Sequence, residues 1–209
     1  KSTLAKQLAA ALGYVYVDTG AMYRAVAYFA MQHNLVSETH LDKAGLIAQL
    51  SNINLRFQFN PTLGFAEMYL NNKNIEAQIR TIEVSRMVSK VAEISEVRAK
   101  LVEQQQAMGK DKGIVMDGRD IGTNVLPNAD VKVYLTASVE CRAMRRFKEL
   151  EEKGEACDFE QIRQDIQERD ERDMTREIAP LKQAEDATLI DSSEMGIDDV
   201  VKAIIALTK

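Results

Sequence analysis

The segment Ile114–Thr123, with the sequence IVMDGRDIGT, limits the possible folds of this chain more than any other stretch. A short apolar run is followed at once by a glycine-flanked loop that carries two aspartates and an arginine. This pattern predicts a buried strand that delivers charges to its carboxyl end, the edge of an α/β sheet where ligands bind. Because unpaired charges are costly to bury, we expect Asp117, Arg119 and Asp120 to hold a partner there.

Short apolar runs alternate with helical patterns along most of the chain, which predicts parallel strands joined by helices. The predicted strands cover residues 14–18, 114–117, 131–136 and 187–191. Between residues 37 and 80 the pattern changes, because apolar and polar residues alternate along 53–59 and turn sequences follow twice. We therefore predict an α/β protein with a central parallel sheet and a small antiparallel insertion.

Composition excludes several classes of protein. The chain has 209 residues, 45% hydrophobic and 28% charged, which suits one globular α/β domain with an insertion. The sequence contains no apolar stretch of about 18 residues, so no transmembrane helix is predicted. A net charge of −5 disfavours a general nucleic-acid binder. Cys141 and Cys157 lack metal-ligand spacing, so we expect two reduced thiols in the cytoplasm.

Residues 81–108 have a helical pattern in which Ser95 is a plausible helix cap. We therefore expect two helices that meet near Ile94. Ser89 and Arg98 would face opposite sides of one straight helix, so they can share a ligand only if the helix breaks there. Alternatively, each is a polar residue on the surface.

Several arginines are spaced as a phosphate site would require. Arg169, Asp173 and Arg176 share one helix face, which indicates either contacts to a phosphorylated sugar or a solvated face with local ion pairs. Arg24 follows a strand-to-helix turn, where a cation opposes the helix dipole unless an anion binds; otherwise it is an exposed arginine. Arg145 and Arg146 are either solvated or part of a mobile flap that brings cations to a triphosphate.

The chain begins Lys1-Ser2-Thr3 and continues into an amphipathic helix over residues 4–12. Lys-Ser/Thr at a helix start is the pattern that ends a phosphate-binding loop, although three residues alone are a weak signal.

Six segments in this order resemble the nucleoside monophosphate kinases, and specifically the bacterial cytidylate kinases. They are KSTLAKQLA, YVDTGAMYRA, IRTIEVSRMVSKVAEISEVR, GIVMDGRDIGT, VKVYLTAS and ERDERDMTREIAPL. The resemblance implies a P-loop kinase-type three-layer fold with a central parallel sheet, a small antiparallel insertion and a helical lid. That family begins with a strand and a glycine-rich loop that this sequence does not contain, and without that central strand the parallel sheet would be split.

The resemblance also implies a division into domains and a role for each matching residue. Residues 1–36 and 81–209 would form the core, with a lid at about 142–178, and residues 37–80 the monophosphate-binding insertion. By this resemblance ATP would be bound by Lys1, Ser2 and Thr3, with Mg²⁺ near Ser2 or Thr3, and by Arg145 and Arg146 in the lid. The acceptor phosphate would be bound by Arg24, Arg119 and Arg176. The ribose would be bound by Thr19, Arg169 and Asp173, and cytosine by Ser89, Arg98 and Asp120. Lys1, Arg119 and Arg176 would be the catalytic residues.

The implied reaction is phosphorylation of CMP and dCMP by ATP with Mg²⁺. An aspartate and an arginine complement the amino group and the acceptors of cytosine, so we expect CMP and dCMP to be preferred over UMP. We expect a monomer in the cytoplasm that binds neither a nucleic-acid polymer nor a membrane. The alternatives are a kinase for another nucleoside monophosphate or small metabolite, and a non-catalytic nucleotide-binding module.

Overall fold

The computed structural model describes residues 2–208, which contain helices α1–α8 and strands β1–β7. The helices are α1 Ser2–Leu12, α2 Thr19–Gln32, α3 Lys43–Gln49, α4 Ile82–Ala92, α5 Ser95–Gly109, α6 Val139–Glu152, α7 Phe159–Thr175 and α8 Ile197–Ala206. The strands are β1 Val15–Asp18, β2 Leu55–Asn60, β3 Phe65–Leu70, β4 Lys73–Asn74, β5 Ile114–Asp117, β6 Val133–Thr136 and β7 Thr188–Asp191. The predicted α/β class is confirmed.

The parallel strands form two separate pairs, β1 with β5 and β6 with β7. In the first pair Asp18 is in register with Asp117, so both strands end in a carboxylate at the same edge. A cavity of about 690 Å³ lies between the pairs and is lined by residues of β5, β6 and α1. The two parallel pairs therefore lie on either side of this cavity.

Two apolar clusters hold these layers together. Leu4 and Leu8 of α1 pack with Val200 and Ile204 of α8, and side chains of β5, β6 and β7 pack against them. The larger cluster is formed mainly by α2, α4 and α5, whose apolar faces pack against one another and against the insertion. The four alanines of α2 are fully buried, which lets neighbouring elements approach this helix closely; they are Ala21, Ala25, Ala27 and Ala30.

The insertion contains an antiparallel sheet in the order β2-β3-β4. The pairing runs from Leu55 opposite Leu70 to Asn60 opposite Phe65, so the predicted turn at residues 60–64 joins the two strands. Buried Met68 and Leu70 of β3 join the core cluster of α2 and α4. The domain boundaries at residues 36/37 and 80/81 stay a prediction.

The predicted helix break near Ile94 is confirmed, since α4 ends at Ala92 and α5 begins at Ser95. The predicted cap at Ser95 is wrong. Ile94 occupies the N-cap position of α5 and Ser95 is already helical. Thr19 is the first residue of α2, which is capped by the carboxylate of Asp18 accepting from the amide of Ala21.

Among residues 2–208, no helix is both long enough and apolar enough to cross a membrane.

Candidate active site

Arg98 and Asp120 form an ion pair in the protein interior. A terminal nitrogen of Arg98 donates to Oδ2 of Asp120 at 2.5 Å, and the two residues are only 3% and 5% exposed. The other terminal nitrogen donates to the carbonyl of Ala92, the last residue of α4. The helix break thus lets a side chain from α5 reach back to the end of α4.

The segment after β5 holds Asp120 in place. The chain continues from Asp120 into a π-helical segment, Ile121–Val125, and the side-chain amide of Asn124 donates to Oδ2 of Asp120 at 2.9 Å. Such π-helical turns are frequent at functional sites. The hydrogen bonds from Arg98 and Asn124 both use Oδ2, and within residues 2–208 no hydrogen bond engages Oδ1 of Asp120.

One polar atom of Arg98 is also left free. Its Nε is buried and has no hydrogen-bond partner in the described part of the chain. The pair therefore presents one unused donor and one unused acceptor. Buried polar atoms are nearly always hydrogen-bonded in folded proteins, so the buried Nε of Arg98 is suited to a ligand. Oδ1 of Asp120, which no hydrogen bond within residues 2–208 uses, is a second atom that a ligand can reach. Ser89, the third residue expected near the base, is 7% exposed on α4, and its role stays a prediction.

A second cluster gathers three arginines around Asp173. Arg119 Nε donates to Oδ2 of Asp173 at 2.7 Å, while Arg169 and Arg176 approach the same carboxylate at 4.0 and 3.7 Å. Asp173 is 6% exposed. Three guanidinium groups therefore surround one carboxylate, and the excess of positive charge suits an anion.

The pKa shifts of the cluster have the same cause. Burial, and then the charge of Arg119, lowers the pKa of Arg169 to about 10, while Asp173 raises it and Arg24 lowers it further. Burial followed by Arg98 lowers the pKa of Arg176. These arginines act on one another electrostatically, so an arriving phosphate would relieve repulsion as well as form new bonds.

The loop after α7 orients Arg176. Two nitrogens of Arg176, Nε and one terminal nitrogen, donate to the carbonyl of Ala179 at 2.9 and 2.6 Å. Ala179 has a positive φ of 48°, an uncommon conformation for a residue with a Cβ. The amide of Leu181 donates to the carbonyl of Asp173, which returns the loop to α7.

Arg24 lies beside the carboxyl ends of the first parallel pair. Its guanidinium donates to Asp18 at 2.9 Å, and Arg80 from the insertion donates to the same oxygen at 2.9 Å. Arg80 also forms an ion pair with Glu76. Asp18 therefore anchors one arginine from the core and one from the insertion.

The pKa values of the two strand-end carboxylates, Asp18 and Asp117, are shifted in opposite directions. Burial raises the pKa of Asp18, but Arg24 and Arg80 outweigh burial and lower it below its usual value. Burial, followed by the charge of Asp18, raises the pKa of Asp117. The hydroxyl of Tyr16 donates to Asp117 at 3.0 Å. Asp117 is thus a carboxylate that would gain from a cation nearby.

Thr19 lies against the same edge of the sheet. Its hydroxyl donates to the carbonyl of Asp117 at 2.6 Å. A Cβ at Gly118 would lie 2.5 Å from the Thr19 oxygen, so the loop after β5 needs glycine for this close approach.

The residues expected to bind ATP lie elsewhere. Lys1 is outside the described residues, while Ser2 and Thr3 form the start of α1. Arg145 donates to the carbonyl of Ser192 at 2.7 Å, and Arg146 pairs with Glu149 one turn along α6. Within residues 2–208 neither arginine forms a hydrogen bond or ion pair with the Asp173 cluster, and their role with ATP stays a prediction.

Sequence reasoning did not place Arg80, Asn124 or Tyr16 in the site. Arg80 lies 62 positions from Asp18 along the chain, and nothing in the sequence around it distinguishes it from a surface arginine. Asn124 offered a weak signal, because it follows Asp120 by four residues in a glycine-containing loop. Tyr16 could have been found from its place in a strand that ends in a carboxylate.

Comparisons with known proteins agree with this geometry. The model of the cytidylate kinase family matches residues 1–209. The chain is 59% identical over 207 residues to the cytidylate kinase of Flavobacterium johnsoniae, covering 99% of this chain and 90% of that protein. It is 54% identical to the cytidylate kinase of Flavobacterium psychrophilum, covering 99% and 92% of the two chains. The cytidylate kinase of Phocaeicola vulgatus is 48% identical, with coverage of 97% and 88%.

The match extends over the whole chain and includes the segments that form both clusters, so the predicted membership is confirmed: this chain belongs to the cytidylate kinase family, whose members are nucleoside monophosphate kinases with the P-loop kinase-type fold.

Proposed function

We propose that the protein transfers the γ-phosphoryl group of ATP to CMP and dCMP, giving ADP with CDP or dCDP. The observation that carries this proposal is the buried Arg98–Asp120 pair, which keeps the Arg98 Nε donor and the Asp120 Oδ1 acceptor free of hydrogen bonds to residues 2–208. Family membership supports the same reaction.

The free atoms of this pair complement cytosine. Cytosine offers an amino group that donates and N3 and O2 atoms that accept, so Asp120 accepts from the amino group and Arg98 donates to the acceptors. Ser89 adds a hydroxyl at the same base. Uracil presents an acceptor where cytosine has its amino group, and one mismatched buried contact costs about 1–3 kcal/mol. CMP and dCMP are therefore preferred over UMP.

The arginines hold the acceptor phosphate. Arg119 and Arg176 belong to the cluster around Asp173, and Arg24 lies close enough to Arg169 to affect its pKa. Planar guanidinium groups bind phosphate oxygens through two parallel hydrogen bonds, which fixes orientation as well as position. Thr19, Arg169 and Asp173 hold the ribose beside them.

Phosphoryl transfer depends on alignment and charge neutralisation more than on a strong base. Lys1 and the start of α1, with Ser2 and Thr3, bind the phosphates of ATP, since the amide groups at a helix N-terminus favour anions. Arg119 and Arg176 keep the acceptor oxygen in line with the γ-phosphate and neutralise charge as it develops.

Mg²⁺ bound with ATP would neutralise the donor phosphates. Among residues 2–208 no group of three or more acidic, histidine or cysteine side chains is arranged to hold a metal ion. Mg²⁺ takes few protein ligands when it is bound together with nucleotide phosphates and water. The hydroxyl of Ser2 or Thr3 would hold it, and the raised pKa of Asp117, caused by burial and by Asp18, favours a cation near that edge.

Helices α6 and α7 act as the lid, and residues 37–80 act as the monophosphate-binding insertion. The two helices pack side by side, and Arg142 of α6 forms a two-bond ion pair with Asp170 of α7 at 3.0 and 2.6 Å. Arg145 and Arg146 on α6 approach ATP when the lid closes. Closure excludes water, which suppresses hydrolysis of ATP.

A coupled assay of ADP formation with CMP, dCMP, UMP, AMP and dTMP tests the proposal on the full-length protein. We expect turnover with CMP and dCMP. The kcat/KM for UMP should be lower than that for CMP by a factor of about ten or more. Equal turnover of UMP would reject the assignment of Arg98 and Asp120 to the base. Binding of CMP without turnover would favour a non-catalytic nucleotide-binding module.

The protein acts as a monomer in the cytoplasm. Size-exclusion chromatography with light scattering tests the monomer, and cell fractionation tests the location.

A further inference from the structure

Tyr23 of α2 carries a buried hydroxyl group that no protein group satisfies. The residue is 9% exposed, and its hydroxyl oxygen has no hydrogen-bond partner among residues 2–208. A hydroxyl taken out of water without a replacement hydrogen bond opposes folding. Each such group in a native structure needs an explanation, and a bound ligand is one.

The surroundings of Tyr23 are those of the nucleotide site. The guanidinium carbon of Arg98 lies 5.5 Å from the centre of the Tyr23 ring. Burial raises the pKa of Tyr23 to about 12; by smaller amounts Arg98 lowers it, Asp120 raises it and Arg176 lowers it. The hydroxyl is therefore neutral near pH 7, remains able to donate, and lies within electrostatic range of both clusters.

The position of Tyr23 on α2 also places it near the residues expected to bind the nucleotide. It follows Thr19 by four residues, so the two side chains share one face of α2. Thr19 lies at the carboxyl edge of β1 and β5, and Arg98 and Asp120 lie beyond the end of α4 and β5. Tyr23 thus shares a helix face with the expected sugar-binding residue and lies against Arg98 of the expected base-binding pair.

We propose that Tyr23 is a further substrate-binding residue, whose hydroxyl forms a hydrogen bond to the pyrimidine nucleotide where the base adjoins its phosphorylated sugar. This inference rests on the proposed function, because it requires that the nucleoside monophosphate binds to the Arg98–Asp120 pair and to the arginine cluster around Asp173. The nucleotide then satisfies the hydroxyl that the protein leaves unpaired.

The comparison with Tyr16 shows why the unpaired state matters. The Tyr16 hydroxyl donates to Asp117 in the protein itself, so its removal breaks an existing hydrogen bond. Removal of the Tyr23 hydroxyl breaks none within residues 2–208. A Tyr23→Phe variant keeps the ring against Arg98 and loses only the oxygen. A role in substrate binding therefore separates cleanly from a role in folding.

Steady-state kinetics of Tyr23→Phe, together with isothermal titration of CMP, test the proposal. We expect the KM and the Kd for CMP to rise about 3- to 10-fold, as for loss of one hydrogen bond. The KM for ATP stays unchanged, and thermal unfolding without nucleotide occurs at the same or a higher temperature. Tyr28→Phe is the matched control, because Tyr28 lies on the same helix but lines a different, open cavity with Phe29 and His33.

Unchanged KM and Kd for CMP in Tyr23→Phe would overturn the inference. So would a lower unfolding temperature accompanied by equal losses for CMP and ATP, since that pattern indicates a structural role. Measurements on the wild-type protein distinguish a failure of the proposed function from a failure of the Tyr23 inference alone. If it neither binds nor phosphorylates CMP, the proposed function fails and this inference with it; if it does both and the variant matches it, only the inference fails.

Discussion

The two charged clusters differ in how far the protein itself neutralises them. The Arg98–Asp120 pair has one cation and one anion, both almost fully buried. Around Asp173, three arginines meet one carboxylate, and Arg119 and Arg169 remain partly exposed. The charges of the first cluster cancel before substrate binds, which suits hydrogen bonding to a neutral base. The second carries excess positive charge and is completed by a phosphate.

This difference separates stability from activity. A buried balanced pair is destabilised when either partner is removed, because the other charge is left in the interior. A cluster with excess positive charge loses repulsion when one arginine is removed, so stability falls less than for the balanced pair while phosphate binding is strongly weakened. Variants in the two clusters should therefore have opposite profiles.

The largest expected effect is on folding. Arg98→Met leaves the Asp120 carboxylate buried with Asn124 as its remaining donor, and should lower the free energy of unfolding by about 3–5 kcal/mol. Urea denaturation measures it. Arg86→Met is the control, because its ion pair with Glu38 is exposed and should contribute less than about 1 kcal/mol. Equal stability of the two variants would show that the Arg98–Asp120 pair is not buried as described.

The second effect is on turnover. Arg176→Met should lower kcat/KM for CMP about 100- to 1,000-fold, because a donor that holds the acceptor phosphate in line with the γ-phosphate is lost. The free energy of unfolding should fall by about 1–3 kcal/mol, less than for Arg98→Met, because the hydrogen bonds to Ala179 are lost while repulsion within the cluster also falls. Arg172→Met on the same helix, which removes an exposed pair with Glu168, serves as the control. Near-normal turnover of Arg176→Met would remove this arginine from the site.

The third effect is on the choice of base. Asp120→Asn exchanges an obligate acceptor for a group that can also donate, so uracil is no longer opposed by a carboxylate. The ratio of kcat/KM for CMP over UMP should fall about ten-fold or more. The ratio is measured below the unfolding temperature of the variant, so that lost stability does not enter. A ratio equal to that of the wild type would place base selection elsewhere.

The smallest effect concerns the strand-end carboxylates, and it depends on pH. Burial and Asp18 raise the pKa of Asp117, so its native state holds a proton that the unfolded state releases, and wild-type stability falls as pH rises from about 4. Asp117→Asn should therefore be more stable than the wild type at pH 7, by about 1 kcal/mol or less.

Asp18 provides the opposite case. Burial is outweighed by Arg24 and Arg80, so its pKa is lowered and its contribution to stability is present above about pH 4 and lost as pH falls. Asp18→Asn should be less stable than the wild type at pH 7, and the difference should shrink in acid. Unfolding curves from pH 3 to pH 7 compare the two variants; parallel profiles would contradict the opposite shifts.

Much of the architecture could be predicted from local patterns. Apolar runs that end in aspartate located β1 and β5, and the alternation along residues 53–59 located β2. The break between α4 and α5 followed from a capping signal near Ile94, although the residue expected to cap was wrong. These features depend on neighbours in sequence, which a single chain records directly.

The site could be predicted only in part, since its contacts join distant residues. Their spacing predicted that three residues share one helix face, namely Arg169, Asp173 and Arg176. The sequence did not predict that Arg119 is the closest partner of Asp173. The attachment of Arg80 to Asp18 depends on how the insertion packs on the core. The unsatisfied hydroxyl of Tyr23 is visible only once its surroundings are known.

The short connection between α4 and α5 sets the angular position of every side chain on α5 relative to α4. Each residue of an α-helix advances the chain by about 100° around the axis. A single amino acid added or deleted at Glu93 or Ile94 would swing the Arg98 side chain roughly a quarter turn away from Asp120, with every residue type unchanged. The length of this linker is therefore specified as tightly as the identity of the residues it presents.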